Sequence, residues 1–319
     1  MSAASAPGKL VLAGEYAVLE GAPAIVAAVQ TRAVVRLDPA GTNDADDLPP
    51  EVRATRELVE AAHGKVPGRL ILDVASLRAG EHKLGVGSSA AATVAAAALL
   101  RAERGELLDV AGREKILNLA LAGHRAVAPR GSGIDVVAST YGGVQRFKRE
   151  GDRIDHKSYR FPEGLFASVV FTGHSARTSD LLARVDRLAA IDPALHRKSI
   201  DAIAEAARAF VRGFESNDIP LLIDVTRRHH EALAALGRNA DAPIVDTSLD
   251  TIAAIAREHR GAAKPSGAGG GDVAVAFFAT AIERTEFEEE AVTKGFTIVD
   301  ATLGGEGVRI DTSVGRAAV

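Results

Sequence analysis

The chain has 319 residues, of which 47% are hydrophobic and 25% are charged, and its formal net charge is −4. This length suffices for two packed domains, and the slight negative charge gives no general attraction to nucleic acid or to an anionic membrane. Disulfides and thiolate metal sites are excluded because the chain has no cysteine. It also shows no amino-terminal signal sequence and no apolar stretch of about 18 residues, so we expect a cytoplasmic protein.

In the first half of the chain, apolar spacing and turn residues predict both strands and helices. Strands are expected at 9–12, 24–37, 69–74 and 144–148, and helices at 51–63, 88–104 and 113–127. Gly64 and Gly105 follow two of these helices, as glycine often does after a helix end. A charged hairpin at 149–155 suggests a boundary, which predicts one lobe at 1–155 and a second at 156–319.

The second half of the chain is mostly helical between its strands. We expect strands at 167–172 and 273–279, helices within 179–236, 247–259 and 283–294, and two further strands near the carboxyl end. Thr247 or Ser248 is the expected cap of the 247–259 helix. The basic run from Arg227 to His230 is interpreted as a solvated helix face. Because strands and helices are grouped and do not strictly alternate, the pattern predicts an α+β fold.

A glycine- and serine-rich segment at 83–92 joins a loop to the start of an alanine-rich helix. Glycines let the backbone approach an anion, and the free N–H groups of a helix start attract phosphate. The segment lacks the Gly-Lys-Ser/Thr triplet of a Walker A loop and the third glycine of a dinucleotide fingerprint. The segment therefore predicts either a phosphate site of another kind or a tight turn with a serine N-cap.

Three segments of the chain, at 6–18, 85–92 and 264–272, resemble in this order the three motifs of the GHMP small-molecule kinases. That family includes galactokinase, homoserine kinase, mevalonate kinase and phosphomevalonate kinase. The resemblance implies a two-lobed α+β fold with the active site in the cleft between the lobes. It further implies ATP and Mg²⁺ as cofactors, a small-molecule substrate, and a monomer or homodimer that binds neither nucleic acid nor membranes.

The resemblance also assigns residues that bind ATP and carry out the reaction. The expected ATP-binding residues are Lys83, Gly85, Gly87, Ser88, Ser89 and Ala90. The hydroxyl of Ser89 would also bind Mg²⁺. The ammonium of Lys9 would lie near Asp135 and the γ-phosphate, and Asp135 would accept a proton or orient the nucleophile. The alternatives are an exposed lysine at a strand start and an aspartate that caps a helix.

Further residues are expected on the substrate side of the cleft. They are Lys9, Glu15, Tyr16, Arg130, Ser132, Gly133, Ser175, Arg177, Ser266, Gly267, Ala268 and Gly269. Lys83, Arg130 and Arg177 are the candidates for holding a phosphate of the substrate, because an arginine fork suits that group. The alternative is that these long basic side chains are simply solvated.

Four details resemble the phosphomevalonate kinases of the family more than its mevalonate kinases: Tyr16, Lys83, His124 and the Gly-Gly-Gly-Asp sequence at 269–272. The sequence Ala-Pro-Arg at 128–130 departs from the expected pattern. The resemblance thus implies transfer of the ATP γ-phosphoryl group to phosphomevalonate. Phosphorylation of mevalonate and a non-catalytic ligand-binding relative are the alternatives. The role of His124 is left open between metal binding, substrate contact and a place in the core.

Overall fold

A computed structural model describes residues 2–42, 47–79, 82–151, 153–175 and 177–311 of the chain. The side chains of Ala79, His82 and Lys83 lie outside this description, so the predicted role of Lys83 is not placed. Among the helices of the described ranges, none is both long and apolar enough to cross a membrane.

Strands and helices are grouped along the chain. The strands are β1 (Ala3–Ala13), β2 (Ala24–Asp38), β3 (Arg69–Asp73), β4 (Arg78–Ala79), β5 (His82–Lys83), β6 (Val144–Glu150), β7 (Arg153–Tyr159), β8 (Phe166–Phe171), β9 (Ala262–Pro265), β10 (Val273–Phe278), β11 (Thr297–Ile298) and β12 (Arg309–Asp311). The helices are α1 (Pro50–His63), α2 (Ser88–Ala102), α3 (Val110–Val127), α4 (Ile134–Tyr141), α5 (Thr178–Ile191), α6 (Pro193–Ser216), α7 (Ile219–Asn239), α8 (Thr247–Glu258) and α9 (Ala281–Thr293). The predicted α+β class is confirmed.

The first sheet is antiparallel and has the strand order β12-β1-β2-β6-β7, with β3 pairing β2. Helices α1 to α4 pack together beside it, and α2 contacts both β1 and β2. Residues 90–100 of α2 are all buried, and most of them are alanines. Because alanine has a small side chain and a high helix propensity, α2 forms readily and packs within the core between strands and neighbouring helices.

The second sheet has the antiparallel order β11-β8-β10-β9 and is contacted by helices α7, α8 and α9. Helices α6 and α7 pack against each other, and the turn between them is built from local signals. Asn217 ends α6 with a left-handed φ of 52°, and the Asp218 side chain accepts a hydrogen bond from the Leu221 N–H at 3.0 Å. Asn217 thus ends α6 in a conformation common after helices, and Asp218 is a common type of N-cap for α7.

The structure differs from the sequence expectations at several elements. The boundary placed at residue 155 falls inside β7, and β12 returns from the carboxyl end to pair with β1. The predicted cap of α8 was wrong, because the Asp246 side chain accepts the hydrogen bond of the Leu249 N–H and so stands one residue earlier than Thr247. Helix α4 was not among the predicted elements, although it carries Asp135.

The solvated face predicted for the basic run on α7 was also partly wrong. His229 has no exposed surface and His230 is 5% exposed, whereas Arg228 is exposed. Both histidines lie on the side of α7 that packs inward with Leu222, Leu233 and other apolar residues. The helical period therefore divides the run between two faces of α7.

Candidate active site

The glycine loop predicted to bind phosphate leads directly into α2. Gly85 and Gly87 have φ values of +70° and +77°, which side-chain-bearing residues rarely adopt. Gly87 is the N-cap of α2, and no side chain of the described residues caps this helix start. The serine-cap alternative is thereby excluded. The first N–H groups of α2 face a site without a capping side chain, which is the arrangement that binds a phosphate.

Ser89, in the first turn of α2, carries an unsatisfied hydroxyl. Its Oγ is buried and makes no hydrogen bond to any residue in the described ranges. Leaving such a group unpaired in the folded state is costly, so buried hydroxyls without partners are uncommon and often belong to ligand sites. A phosphate oxygen or a Mg²⁺ ion is a suitable partner, and the predicted contact of Ser89 with these groups fits this environment.

Lys9 reaches the same helix start from β1. Its N–H donates to the carbonyl of Val86 at 2.7 Å, which fixes the strand against the glycine loop. Its aliphatic stem crosses Gly87 so closely that a Cβ at that position would lie 3.0 Å from the Lys9 Cε. A glycine there leaves room for the lysine stem. The Lys9 side chain and the positive end of the α2 dipole therefore lie close together, which favours the binding of an anion there.

Asp135 is in the first turn of α4, whose N-cap is Gly133 with a φ of 83°. The Ser139 hydroxyl, one turn further along α4, donates to the carbonyl of Pro7 at 2.8 Å and ties the helix to β1 two residues before Lys9. Asp135 Oδ2 lies 3.7 Å from His124 Nε2 of α3. The fold therefore brings Asp135 and His124 to the part of β1 that also carries Lys9.

The third motif closes on the first two. A Cβ added to Gly85 would lie 2.5 Å from the Cβ of Asp272, so the second glycine-rich loop packs directly on the first. The Tyr16 hydroxyl donates to the carbonyl of Ala268 at 2.6 Å, and the Ser266 Oγ accepts a hydrogen bond from the Val11 N–H at 2.9 Å. All three predicted motifs therefore meet at one site.

Tyr16 is the centre of a strained turn in the first motif. Its φ and ψ are 61° and −54°, and the Ala17 N–H donates to the Glu15 carbonyl at 2.6 Å across it. This is a γ-turn with a positive central φ, a rare conformation that side chains other than glycine adopt only when their surroundings hold them there. Burial raises the pKa of the Tyr16 hydroxyl, and the neighbouring Glu15 charge raises it further.

A buried ion pair lies beneath this turn. The Lys264 ammonium of β9 donates to Glu15 Oε1, to the Pro265 carbonyl at 2.6 Å and to the Val11 carbonyl at 3.3 Å. The Lys264 side chain is 0% exposed and that of Glu15 is 2% exposed. Burial, the largest single effect, would raise the pKa of Glu15, but Lys264 and His229 together outweigh it and bring this pKa down to about 2. Glu15, expected on the substrate side, has its carboxylate inside the protein.

His229 of α7 completes this cluster and was missed from the sequence. Its Nε2 lies 3.2 Å from Glu15 Oε2, without the alignment of a hydrogen bond. Burial lowers the pKa of His229 although Glu15 opposes the change, so the ring is neutral near pH 7. The spacing of Leu222, His229, Leu233 and Leu236 along α7 is the signal that predicts its burial.

Four other side chains predicted to contact the substrate are those of Arg130, Ser132, Ser175 and Arg177. Arg130 is exposed and forms a bidentate ion pair with Asp186 of α5. Ser175 and Arg177 are exposed in the segment before α5. The Ser132 Oγ accepts a hydrogen bond from the Ile134 N–H at 3.3 Å. Binding of a substrate phosphate by Arg130 and Arg177 stays a prediction, as does substrate contact by Ser132 and Ser175.

Comparison with known proteins gives one consistent family. Residues 53–143 match the model of the GHMP kinases N terminal domain. The chain is 31% identical to a phosphomevalonate kinase of Streptomyces sp. (strain CL190), over 95% of this chain and 97% of that protein. It is 26% identical to a mevalonate kinase of Aeropyrum pernix, over 97% of this chain and 98% of that protein.

A solved structure of similar fold is Streptococcus pneumoniae phosphomevalonate kinase in complex with phosphomevalonate and AMPPNP. The TM-score is 0.81 at 18% identity, with 95% of this chain and 100% of that chain covered. Three observations indicate the same family: the chain carries the three motifs, the motifs meet at one site, and the similarity to the relatives extends over nearly the full length. The chain therefore belongs to the GHMP kinases and is an ATP-dependent kinase.

Proposed function

We propose that this kinase transfers the γ-phosphoryl group of ATP to phosphomevalonate and so acts in the mevalonate route to isoprenoids. The observation that carries the proposal is the 31% identity to a phosphomevalonate kinase over nearly the whole of both chains. Tyr16 and the Gly-Gly-Gly-Asp sequence at 269–272 support the same acceptor. Mevalonate is the alternative acceptor, because full-length relatives of the chain include a mevalonate kinase.

The site provides the groups that this transfer needs. The N–H groups at the start of α2 would hold the phosphates of ATP, and the Lys9 ammonium would stabilise charge on the transferred group. An oxygen of the acceptor phosphate then bonds to the γ-phosphorus while the bond to the β-phosphate oxygen breaks, giving diphosphomevalonate and ADP. A phosphate monoester has a second pKa near about 6 and is largely ionised at pH 7. Asp135 therefore serves mainly to orient the acceptor and Lys9.

A Mg²⁺ ion fits the serine hydroxyl at this helix start, because Mg²⁺ prefers oxygen ligands. The buried Ser89 Oγ, which has no hydrogen-bond partner in the described part of the chain, would bind the ion. When bound, Mg²⁺ neutralises charge on the ATP phosphates.

The acceptor is tested by measuring ADP release with phosphomevalonate and with mevalonate side by side. We expect kcat/KM for phosphomevalonate to exceed that for mevalonate by at least about 100-fold, because a site built for a phosphate rejects an analogue that lacks it. Carbon dioxide is recorded in the same assay, and none is expected. Faster turnover of mevalonate would replace the proposed acceptor, and ADP release coupled to carbon dioxide release would indicate a decarboxylase.

Ser89→Ala separates ligand binding from folding. We expect the Mg²⁺ concentration needed for half-maximal activity to rise about tenfold, the usual cost of one lost charge-assisted contact. The free energy of unfolding should be unchanged or slightly higher, because the variant removes a buried hydroxyl without a hydrogen-bond partner. Magnesium titrations of activity and thermal unfolding measure the two effects.

Ser216→Ala is the control, since this serine is exposed on α6 and its hydroxyl donates only to the Arg212 carbonyl of the same helix. Its Mg²⁺ requirement should stay within about twofold of the wild type, within the spread of surface substitutions. A Ser89→Ala enzyme with the wild-type Mg²⁺ requirement would remove Ser89 from the metal site.

A further inference from the structure

The edge of β1 near the active site is held by side chains of the third motif. Val11 pairs with Val26 of β2, yet both of its backbone hydrogen-bonding groups are bonded by the third motif. The Ser266 Oγ accepts from the Val11 N–H, and the Lys264 ammonium donates to the Val11 carbonyl. Residues more than 250 positions apart in sequence are thereby fixed against each other.

Lys264 uses all three of its hydrogen-bond donors in this contact between the first and third motifs. An ammonium has three donors, and those of Lys264 meet Glu15 Oε1, the Val11 carbonyl and the Pro265 carbonyl. The residue is 1% exposed. No donor is left for a substrate, so any effect of Lys264 on the reaction must act through the groups that it holds.

Glu15 connects the ion pair to the third glycine loop. Its Oε1 also accepts the N–H of Gly267 at 3.4 Å, and the residue after it is the strained Tyr16, whose hydroxyl bonds the carbonyl of Ala268. Two consecutive residues of the first motif therefore hold two consecutive residues of the third. The Lys264 ammonium and the Gly267 N–H both donate to the same oxygen of Glu15, so the ion pair and the loop share one acceptor.

We propose that Lys264 is a positioning residue that binds the Glu15 carboxylate, so that this carboxylate and the Tyr16 turn hold the Gly267–Ala268 segment in place for the acceptor. The inference rests on the proposed function for the identity of the acceptor. It assigns the buried cluster to acceptor binding and leaves the nucleotide phosphates to the start of α2.

The charged and titratable groups around Glu15 determine its ionisation once Lys264 is removed. They are Tyr16 and His229, whereas Lys9 of β1 acts on Lys264 itself. His230 of α7 is paired with Asp250 at 2.9 Å and lies near Arg257 of α8. Without Lys264, the lowering effect of His229 remains, and burial, which is the largest effect, raises the pKa of Glu15. The neutral His229 then competes for the same proton, so the new titration belongs to the Glu15–His229 pair.

Lys264→Met tests this directly through the amide NMR resonance of Gly267. In the wild-type protein this resonance should not move between about pH 5.5 and about pH 8.5, because the pKa of Glu15, about 2, lies well below this range. In Lys264→Met we expect the resonance to titrate within this range. The matched control Glu15→Gln/Lys264→Met should be flat again. A pH-independent Gly267 resonance in Lys264→Met would overturn the proposal.

Kinetics provide a second measurement with the same variants. In Lys264→Met, kcat/KM for the acceptor should fall about tenfold per pH unit below the new pKa, whereas KM for ATP should stay within about twofold. A purely structural role would lower kcat/KM for the acceptor and raise KM for ATP at every pH, and that result would contradict a positioning role.

The double variant also covers the case in which Lys264→Met does not fold, because it buries no uncompensated charge. It should raise KM for the acceptor at least about tenfold at every pH, since the ion pair that holds the Gly267 N–H is lost together with the donor to the Val11 and Pro265 carbonyls. A wild-type KM for the acceptor in the double variant would refute the proposal. A wild-type enzyme that turns over neither phosphomevalonate nor mevalonate would refute the proposed function, while the Gly267 titration would still decide the role of Lys264.

Discussion

Asp135→Asn is expected to lower kcat by about 100-fold or more while nucleotide affinity stays within about twofold of the wild type. Removing a general base or an orienting carboxylate typically lowers the rate by about 10²–10⁴-fold. The asparagine keeps the size of the side chain and its place in the first turn of α4, so the fold should be retained. Steady-state kinetics and calorimetric titration with a non-hydrolysable ATP analogue measure the two quantities.

The size of this loss also reports on the chemistry of the acceptor. A hydroxyl must lose its proton during transfer, so a hydroxyl-acceptor kinase would be expected to lose about 10⁴-fold. A phosphate oxygen is already ionised, which predicts a loss nearer to about 10²-fold. Asp201→Asn, at an exposed position of α6, is the control and should have wild-type kinetics. Unchanged turnover in Asp135→Asn would remove Asp135 from the catalytic residues.

Local sequence signals were sufficient to predict the glycine loop at 85–87 and the helix that follows it. Two glycines with positive φ followed by an alanine-rich helix produce the loop and the helix start from neighbouring residues alone. The same holds for most helix and strand positions, since apolar periodicity is also a local property. What the local pattern did not contain was the pairing of distant segments, such as the return of β12 to β1.

Lys264 shows why part of the site escaped prediction. A lysine is usually exposed, and its burial here depends on Glu15, which is 249 positions away in sequence. Arg130 is a related case, because its ion pair with Asp186 joins residues 56 positions apart. His229 differs from both, since the apolar spacing of α7 already places it on the buried face. The burial of His229 was predictable from the helical period of apolar residues, whereas its contact with Glu15 was not.

Lys9→Met is expected to lower kcat/KM by about 10²–10³-fold, with most of the loss in kcat. A preorganised charge that stabilises developing negative charge is worth about this much in enzymes. In the described residues the Lys9 ammonium makes no hydrogen bond or ion pair, so the substitution removes no interaction that holds the fold together. The methionine can follow the same path over Gly87, because its unbranched side chain replaces the lysine stem.

The measurement is a full kinetic analysis together with thermal unfolding. Lys9 is one of the charges that lower the pKa of Lys264, so its removal also relieves a repulsion inside the protein. We therefore expect the midpoint of unfolding of Lys9→Met to equal or exceed that of the wild type. Lys198→Met, exposed on α6, is the control for the loss of one positive charge and should leave kcat unchanged. Stability kept while turnover is lost would identify Lys9 as a catalytic residue, whereas a parallel loss of both would identify it as structural.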